Sequence, residues 1–133
     1  MGGVRLTVRV DFGSARALGP GKIRLLEAIR KTGSISQAGR SLDMSYRRAW
    51  LLVDDMNRCF RAAVVTTQPG GAQGGGAALT PFGLELIEQY RSIEAQATAA
   101  TKPQLHALEV ALRNRARRTS KRLKTSIRAA TAR

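Results

Sequence analysis

The chain has 133 residues, enough for one domain with a hydrophobic core but not for two full domains. Lysine and arginine number 23 against nine acidic residues, and the formal net charge of +14 favours a polyanionic partner. A single cysteine, Cys59, excludes an intramolecular disulfide, and no apolar run approaches the roughly 20 residues of a membrane span. We therefore expect a cytoplasmic protein with neither a signal peptide nor a membrane anchor.

The N-terminal third is predicted to contain a strand, a loop and a helix. Residues 4–10 alternate apolar and polar side chains, which is typical of a strand with one buried face. Residues 13–19 are predicted to form a loop, after which Pro20 begins a helix that Gly33 ends. One face of this helix holds its apolar residues, Ile23, Leu26 and Ile29.

Two helices separated by a short turn follow. Ser34 begins a capping-box pattern, in which its hydroxyl accepts from the backbone of Gln37 and the Gln37 side chain reaches back. In the short second helix, Gly39 leaves room for a close neighbour. After a turn at residues 43–44, Ser45 caps a third helix. The core face of that helix holds Ala49, Leu52, Val53, Met56 and Phe60.

A hairpin is predicted next, because residues 62–68 and 77–79 have strand composition and flank a glycine-rich connection. The connection lacks the lysine and hydroxyl residue of a Walker A loop, so a nucleotide site is not expected. It is either a mobile turn or a wing whose glycines, Gly74, Gly75 and Gly76, let backbone N–H groups approach DNA closely. The order strand, helix, short helix, helix, hairpin, helix predicts a mainly α winged helix-turn-helix fold.

The last predicted helix begins at Thr80 and Pro81, a cap followed by proline, and runs to about Ala100. Its apolar surface is broader than a small monomer needs, which predicts a homodimer. The predicted dimerisation residues are Phe82, Leu86, Ile87, Tyr90 and Ile93. We place the domain boundary between residues 1–101 and a basic tail, residues 102–133. The tail is predicted to be partly helical or disordered. It either binds phosphate nonspecifically or only solubilises the chain.

The outward face of the third helix carries the residues that we expect to contact double-stranded DNA. Arg47 lies opposite the core face, with Arg48 and Trp50 beside it, whereas Asp54 and Asp55 further along would be repelled by phosphate. Only the first turns of such a recognition helix enter the major groove, where the arginines would contact guanine edges or phosphates. The predicted DNA contacts are Ser34, Ser36, Gln37, Ser45, Tyr46, Arg47, Arg48 and Trp50, together with the three wing glycines.

Some of these residues also allow a purely structural interpretation. Tyr46 and Trp50 also fit half-buried packing residues, with the arginines as a solvated face. His106 is the only histidine and Cys59 lies beside the core stripe, so no metal site is predicted. No nucleophile, base and orienting group occur together, and we therefore predict neither an enzyme nor a cofactor.

Two stretches, GPGKIRLLEAIRKTGSISQAGRSLDMSYRRAWLLVDDMN and GGAQGGGAALTPFGLELIEQY, carry a family resemblance. Over residues 18–93 the chain resembles the DNA-binding half of the ModE family of bacterial molybdate-responsive transcription regulators. The resemblance implies a LysR-type winged helix, with residues 34–42 as the supporting helix, residues 45–60 as the recognition helix and residues 64–79 as the wing. It also implies that the helix from Pro81 is the dimerisation helix.

Members of that family continue into a molybdate-binding region of two small β-barrel modules, which the basic tail does not resemble. We therefore expect a stand-alone regulator, controlled by a separate sensor protein, by its own abundance or by another ligand. Its target genes, by analogy, are those of molybdate transport or molybdenum enzymes. The alternatives are an architectural protein that coats or bends DNA with little sequence preference, and an adaptor that docks a sensor partner on its last helix.

Overall fold

The computed structural model describes residues 3–68 and 76–113. Within them lie five helices and two short antiparallel hairpins, so the prediction of a mainly α winged helix-turn-helix fold is confirmed. The described chain divides into two compact units. Residues 7–97 form the larger unit, and residues 3–6 with 98–113 form the smaller one.

Eight elements begin in the larger unit. In chain order they are β1 (Val10–Phe12), β2 (Arg16–Leu18), α1 (Pro20–Thr32), α2 (Ile35–Ser41), α3 (Tyr46–Cys59), β3 (Val65–Gln68), β4 (Gly76–Leu79) and α4 (Pro81–Ala100). The smaller unit contains α5 (Lys102–Ala111). Helices α2 and α3 form the helix-turn-helix, and the antiparallel pair of β3 and β4 forms the wing.

Helix α1 begins and ends where the local signals predict. Pro20 is its first residue, where a missing N–H costs no helical hydrogen bond. Gly33 follows its last turn with φ of 71°, in the left-handed region that glycine adopts without strain, and its N–H donates to the Ile29 carbonyl at 2.7 Å. The predicted apolar face is confirmed, since Ile23, Leu26 and Ile29 are fully buried.

Two serine hydroxyls cap α2 and α3 as predicted. Ser34 Oγ accepts from the Gln37 N–H at 3.1 Å. Ser45 Oγ accepts from the Arg48 N–H at 3.0 Å. The other half of the predicted capping box is wrong, because the Ser34 N–H donates to Thr32 Oγ1 at 3.2 Å instead of to the Gln37 side chain. Thr32 thus satisfies this backbone donor, and the Gln37 side chain is left exposed.

The turn between α2 and α3 is tight. Asp43 has φ of 59°, in the left-handed region that aspartate tolerates better than most residues. The Met44 N–H returns to the Gly39 carbonyl at 2.8 Å. A Cβ at Gly39 would lie 2.9 Å from the Ala49 Cβ, so the predicted close approach of a neighbour at Gly39 is confirmed.

The N-terminal strand prediction is wrong in its extent. Residues 4–9 show the alternation of exposed and partly buried side chains, but the strand covers only residues 10–12. It pairs with residues 16–18, which were predicted to be loop, after a turn at Gly13 with φ of 68°. Alternation shows which side chains face the core, but a strand also needs hydrogen bonds to a neighbouring strand. Here only three residues have such a neighbour.

The core of the larger unit is formed by α1, α2, α3, α4 and the base of the wing, together with Leu18 of β2. At its edge, the Phe60 ring meets the rings of Phe12 and Phe82 edge-on, at centroid distances of 5.4 and 5.3 Å. Tyr90 is 1% exposed, and its hydroxyl donates to the Val8 carbonyl at 2.6 Å, which satisfies the buried phenol.

The predicted start of α4 is confirmed. Thr80 Oγ1 accepts from the Gly83 N–H at 2.9 Å and donates to the Ala63 carbonyl at 2.6 Å. A Cβ at Gly83 would collide with the Val64 carbonyl oxygen, so glycine allows the helix to start directly against the chain that leads into the wing. Helix α4 ends at Ala100, also as predicted.

The described part of the predicted tail is helical. Helix α5 has no buried residue, and the side chains of Leu108 in the helix and of Leu112 directly after it are exposed. The remaining predicted tail, residues 114–133, lies outside the described residues. Among the helices of residues 3–68 and 76–113, none is both long and apolar enough to cross a membrane.

Candidate nucleic-acid interface

The outer face of α3 exposes charged and aromatic side chains to solvent. Its inner face is fixed by the burial of Ala49, Val53 and Met56 in the core. The opposite side of the helix is therefore turned to solvent. The exposed residues on this side and its flanks are Tyr46, Arg47, Arg48, Trp50, Leu51, Asp54 and Arg58.

Unbalanced positive charge lies at the N-terminal end of this face. Arg47 and Arg48 are exposed, and neither guanidinium makes an ion pair or hydrogen bond within the described residues. Later in the helix, Arg58 Nε instead pairs with Asp54 at 3.0 Å. Only the first two arginines therefore present charge that is free to meet an external anion.

Asp55 is balanced within the protein, because Lys22 Nζ of α1 donates to it at 2.6 Å and Arg16 Nε of β2 at 3.3 Å. The hydrogen bond from Lys22 is the main reason that the pKa of Asp55 is lowered from its usual value. Asp54 is paired with Arg58. The ion pairs of Asp54 and Asp55 therefore weaken the phosphate repulsion that was predicted for these two carboxylates. The ion pairs of Asp55 also hold α3 against α1 and β2.

Tyr46 and Trp50 contact each other at the surface. Their rings are edge-to-face, with centroids 6.2 Å apart and an angle of 70° between planes. Tyr46 is 60% exposed and Trp50 is 37% exposed, and neither belongs to the core cluster. Neither ring is a core residue, and the alternative of half-buried packing stays open for Trp50, which is the less exposed of the two.

The predicted contacts on α2 are less free than those on α3. The Ser34 hydroxyl serves as a cap, as does the Ser45 hydroxyl before α3. Ser36 Oγ accepts from Arg40 Nη2 at 3.1 Å. Gln37 is exposed at the start of the helix. Of the four polar side chains predicted here, Gln37 is the one most available to an external partner.

The base of the wing is described, whereas its predicted glycine contacts mostly are not. The strands pair from Val65 with Leu79 to Gln68 with Gly76. Gly76 begins β4, close to the end of α1, where the N–H of the next residue donates to the Gly33 carbonyl at 2.9 Å. Gly74 and Gly75 lie outside the described residues.

Asn57 is a positioning residue that the sequence analysis missed. From the last part of α3, its Oδ1 accepts from the N–H groups of Val64 and Val65 at 2.7 and 3.1 Å. Its Nδ2 donates to the Val65 carbonyl at 3.0 Å. The side-chain amide thus acts as a strand partner for the start of β3 and ties the wing to α3. The available signal was a polar amide next to the apolar stripe of α3.

The predicted dimerisation residues fall into two groups. Leu86, Ile87 and Tyr90 are buried in the core of their own chain, and Phe82 is partly buried against it. Ile93 remains 43% exposed. The assignment of the first four as free contact residues is therefore not supported by their burial, and the exposed surface of α4 that a partner could meet is carried by Ile93 and, beyond the predicted set, Leu84.

Metal-ligating side chains do not gather in the described part of the chain. Among residues 3–68 and 76–113, no cluster of three or more histidine, cysteine, aspartate or glutamate side chains could hold a metal ion. Cys59 is partly buried at the end of α3, and His106 is exposed on α5. The two residues lie in different units.

The described structure is that of a winged helix-turn-helix protein. It has a capped short helix, a tight turn and a second capped helix, followed by a hairpin that is hydrogen-bonded to α3 and to the end of α1. Three curated relatives are similar to part of this chain. The molybdenum-pterin-binding protein MopB of Rhodobacter capsulatus is 51% identical over 59% of this chain and 29% of its own length. The molybdenum transport protein ModE of Azotobacter vinelandii is 38% identical over 72% of this chain and 35% of its own length.

The DNA-binding transcriptional dual regulator ModE of Escherichia coli K12 is 41% identical over 53% of this chain and 27% of its own length. Over the matched length, the chain is similar to the ModE family. No family model matches the chain. The chain spans about a third or less of the length of these curated relatives, so their other regions lie outside the comparison.

Proposed function

We propose that this protein is a sequence-specific DNA-binding regulator of transcription. The observation that carries the proposal is the pair of unbalanced arginines, Arg47 and Arg48, on the exposed first turn of α3. In a helix-turn-helix, this part of the second helix enters the major groove while the first helix crosses the backbone. Bidentate arginine contacts to guanine edges supply base recognition, and arginine contacts to phosphate supply position.

The names of the relatives support this proposal and suggest its genes. One relative is named a DNA-binding transcriptional dual regulator, and others are named molybdenum transport proteins. We propose by analogy that the targets are genes of molybdate transport or of molybdenum enzymes. Such a regulator needs neither catalysis nor a cofactor of its own, and it would act in the cytoplasm, where bacterial DNA lies.

We further propose that the protein binds DNA as a homodimer through α4. The exposed Leu84 and Ile93 side chains of α4 support a subunit contact. A two-fold dimer would present two copies of α3 to half-sites about 34 Å apart, one helical turn of DNA. Control by a separate sensor protein stays a prediction from the sequence.

Selection from a random duplex pool tests the proposal. Purified protein should enrich a pseudo-palindrome whose half-sites are about 10 base pairs apart centre to centre. A double variant, Arg47→Ala with Arg48→Ala, should enrich nothing, whereas Arg24→Ala removes an exposed arginine of α1 and should enrich the same site. If the wild-type protein enriches no sequence, the regulator proposal is wrong and the alternative of an architectural DNA-binding protein becomes the better account.

A further inference from the structure

An exposed apolar surface lies in the middle of the charged face of α3. Leu51 is 54% exposed, and the Tyr46 and Trp50 side chains lie next to it. Among the described residues of the larger unit, five large apolar side chains are exposed, and these three lie together at the start of α3. Such a grouping costs free energy in water unless something apolar covers it.

The three side chains line a shallow, open concavity on the outer surface of α3. Its lining residues are Tyr46, Arg47, Trp50, Leu51 and Asp54. Leu51 lies almost opposite Ala49 on the helix and takes no part in the core cluster. The concavity therefore belongs to the same face as Arg47, and whatever binds Arg47 also meets Leu51.

Charge decides which partner this surface fits. Arg47 and the neighbouring Arg48 have no anionic partner within the described residues, while Asp54 is paired with Arg58. A second copy of the same face would bring unbalanced arginines together, which is unfavourable. Double-stranded DNA satisfies both requirements, because its phosphates meet the arginines and its major groove exposes one apolar group, the 5-methyl group of thymine.

We propose that Leu51, with Tyr46 and Trp50 lining the same concavity, contacts thymine 5-methyl groups in the major groove. The inference rests on the proposed function and specifies one base of the DNA site. Each half-site should carry thymine at the position that Leu51 contacts. The arginines bind the polar edges or phosphates around that position, and Leu51 rejects a cytosine there because cytosine has no methyl group to cover it.

The test replaces single thymines of the selected duplex by deoxyuridine, which removes only the 5-methyl group. Dissociation constants are measured by fluorescence anisotropy at one fixed salt concentration. At one or two positions per half-site, wild-type binding should weaken by about fourfold per lost methyl group. With Leu51→Ala, the unmodified duplex should bind less tightly, and deoxyuridine at those positions should cause no further loss.

Three variants make the result specific. Leu108→Ala removes a similarly exposed leucine from α5, outside the proposed subunit contact, and should keep the full deoxyuridine effect. Arg47→Ala should weaken binding to the thymine duplex and to the deoxyuridine duplex by the same factor, so the ratio between the two should stay as in wild type. Leu51→Gln keeps the side-chain length without its apolar end and should behave like Leu51→Ala, and because Leu51 is exposed, thermal unfolding of both Leu51 variants should match wild type.

The outcomes separate this inference from the proposed function. Specific binding without any deoxyuridine-sensitive position, or a sensitivity that Leu51→Ala retains in full, overturns the thymine contact and leaves the regulator intact. Loss of self-association in Leu51→Ala, seen by sedimentation without DNA, would make the surface a protein contact and also overturns it. Failure to select any duplex overturns both.

Discussion

The residues on the outer side of α3 differ in whether their charge is already balanced. Asp54 and Asp55 both have cationic partners within the chain, whereas Arg47 and Arg48 have none in its described part. An arginine without an internal partner loses no protein contact when it binds a base or a phosphate, so no broken ion pair offsets the new interaction. The first turn of α3 therefore carries the largest expected effects of single substitutions on DNA affinity.

Replacing Arg47 or Arg48 by alanine should separate base contacts from phosphate contacts. An arginine that binds a guanine edge should cost about 1–3 kcal/mol on the selected duplex and much less on scrambled DNA. One that binds phosphate should weaken both duplexes equally and reduce the salt dependence. Fluorescence anisotropy on the two duplexes measures this, with Arg24→Ala as the control. Unchanged affinity for both variants would remove α3 from the interface.

Asp55 predicts a pH dependence of stability. Its pKa is lowered in the folded state, chiefly by the hydrogen bond from Lys22, so the bond stabilises the fold above the unfolded pKa of about 3.8. That contribution is lost as the pH falls through the lowered folded pKa. Because the carboxylate is partly exposed, Asp55→Asn should cost only about 1 kcal/mol near neutral pH.

Urea unfolding at several pH values measures the contribution of Asp55. The difference between wild type and Asp55→Asn should shrink as the pH falls below about 4. Asp54→Asn removes the more exposed pair with Arg58 and should cost less than about 0.5 kcal/mol at neutral pH. A difference for Asp55→Asn that stays constant down to acid pH would contradict the role assigned to the Lys22 bond.

Among the elements, the wing is held at both edges. Asn57 binds the backbone at the start of β3, and the Gly33 carbonyl at the end of α1 binds the N–H of Ala77 in β4. Gly33 directly precedes the cap of α2, so the hairpin is fixed to both parts of the helix-turn-helix. The base of the wing should therefore keep a set position relative to α3 when DNA binds.

Substituting Asn57 should loosen the wing. Asn57→Leu removes three hydrogen bonds and leaves the backbone groups of Val64 and Val65 without their partner, at a cost of about 1–3 kcal/mol. Hydrogen exchange at these two amides should accelerate more than exchange in α1. Asn57→Asp keeps the acceptor but loses the donor, so it should protect the two amides better than leucine does. Equal protection in all three proteins would exclude Asn57 as the link.

Two glycines allow close approach between elements, and a third provides the control. Gly83→Ala would place a Cβ against the Val64 carbonyl, and Gly39→Ala would place one 2.9 Å from the Ala49 Cβ. Each should destabilise the fold by about 1–3 kcal/mol. Gly21→Ala in α1 meets nothing within 4 Å and should stabilise by about 0.5–1 kcal/mol. Thermal unfolding of the three variants checks these signs, and stabilisation by Gly83→Ala would contradict the packing described.

Most features that depend on neighbouring residues in the sequence were predicted correctly. The caps at Ser34, Ser45 and Thr80 act within three residues, and each was found where it was predicted. Features that depend on distant partners were missed. The short strand β2 is defined by its pairing with β1, and Asn57 binds backbone seven and eight residues further along the chain.

The same limit applies to α4. Periodicity showed that its apolar surface was broad but not which neighbour would cover it. In the structure, Leu86 and Ile87 pack into the chain's own core, and the Tyr90 hydroxyl binds Val8 far away in sequence. The candidate interface was easier to predict, because the exposed residues of α3 follow from its core stripe and its cap.

At the scale of the whole molecule, charge is unevenly distributed. On α4, Glu85 and Glu88 are exposed without an ion pair in the described chain, and Arg91 is balanced by Glu27 and Glu94. The unbalanced cations on α3 thus contrast with unbalanced anions on α4. Phosphate repulsion from α4 and attraction to α3 should favour one orientation of the larger unit on DNA.

Removing the basic C-terminal residues should lower affinity without changing specificity. Residues 114–133 hold eight lysine and arginine residues and no acidic one. If they bind phosphate, truncation after Arg113 should weaken the selected and scrambled duplexes equally, and each lost contact should flatten the salt slope by about 0.9. The stability of the described helices should not change. An unchanged slope would show that these residues do not contact DNA and only solubilise the chain.

If α3 recognises a DNA sequence, the protein must bind a selected duplex much more tightly than a scrambled one. We would measure dissociation constants for the selected and the scrambled duplex by fluorescence anisotropy at about 50 to 200 mM salt. We expect the selected duplex to bind at least about 10³-fold more tightly and to keep most of this preference as salt rises. A ratio near one, with both affinities falling steeply together, would contradict it and make nonspecific DNA coating the better description.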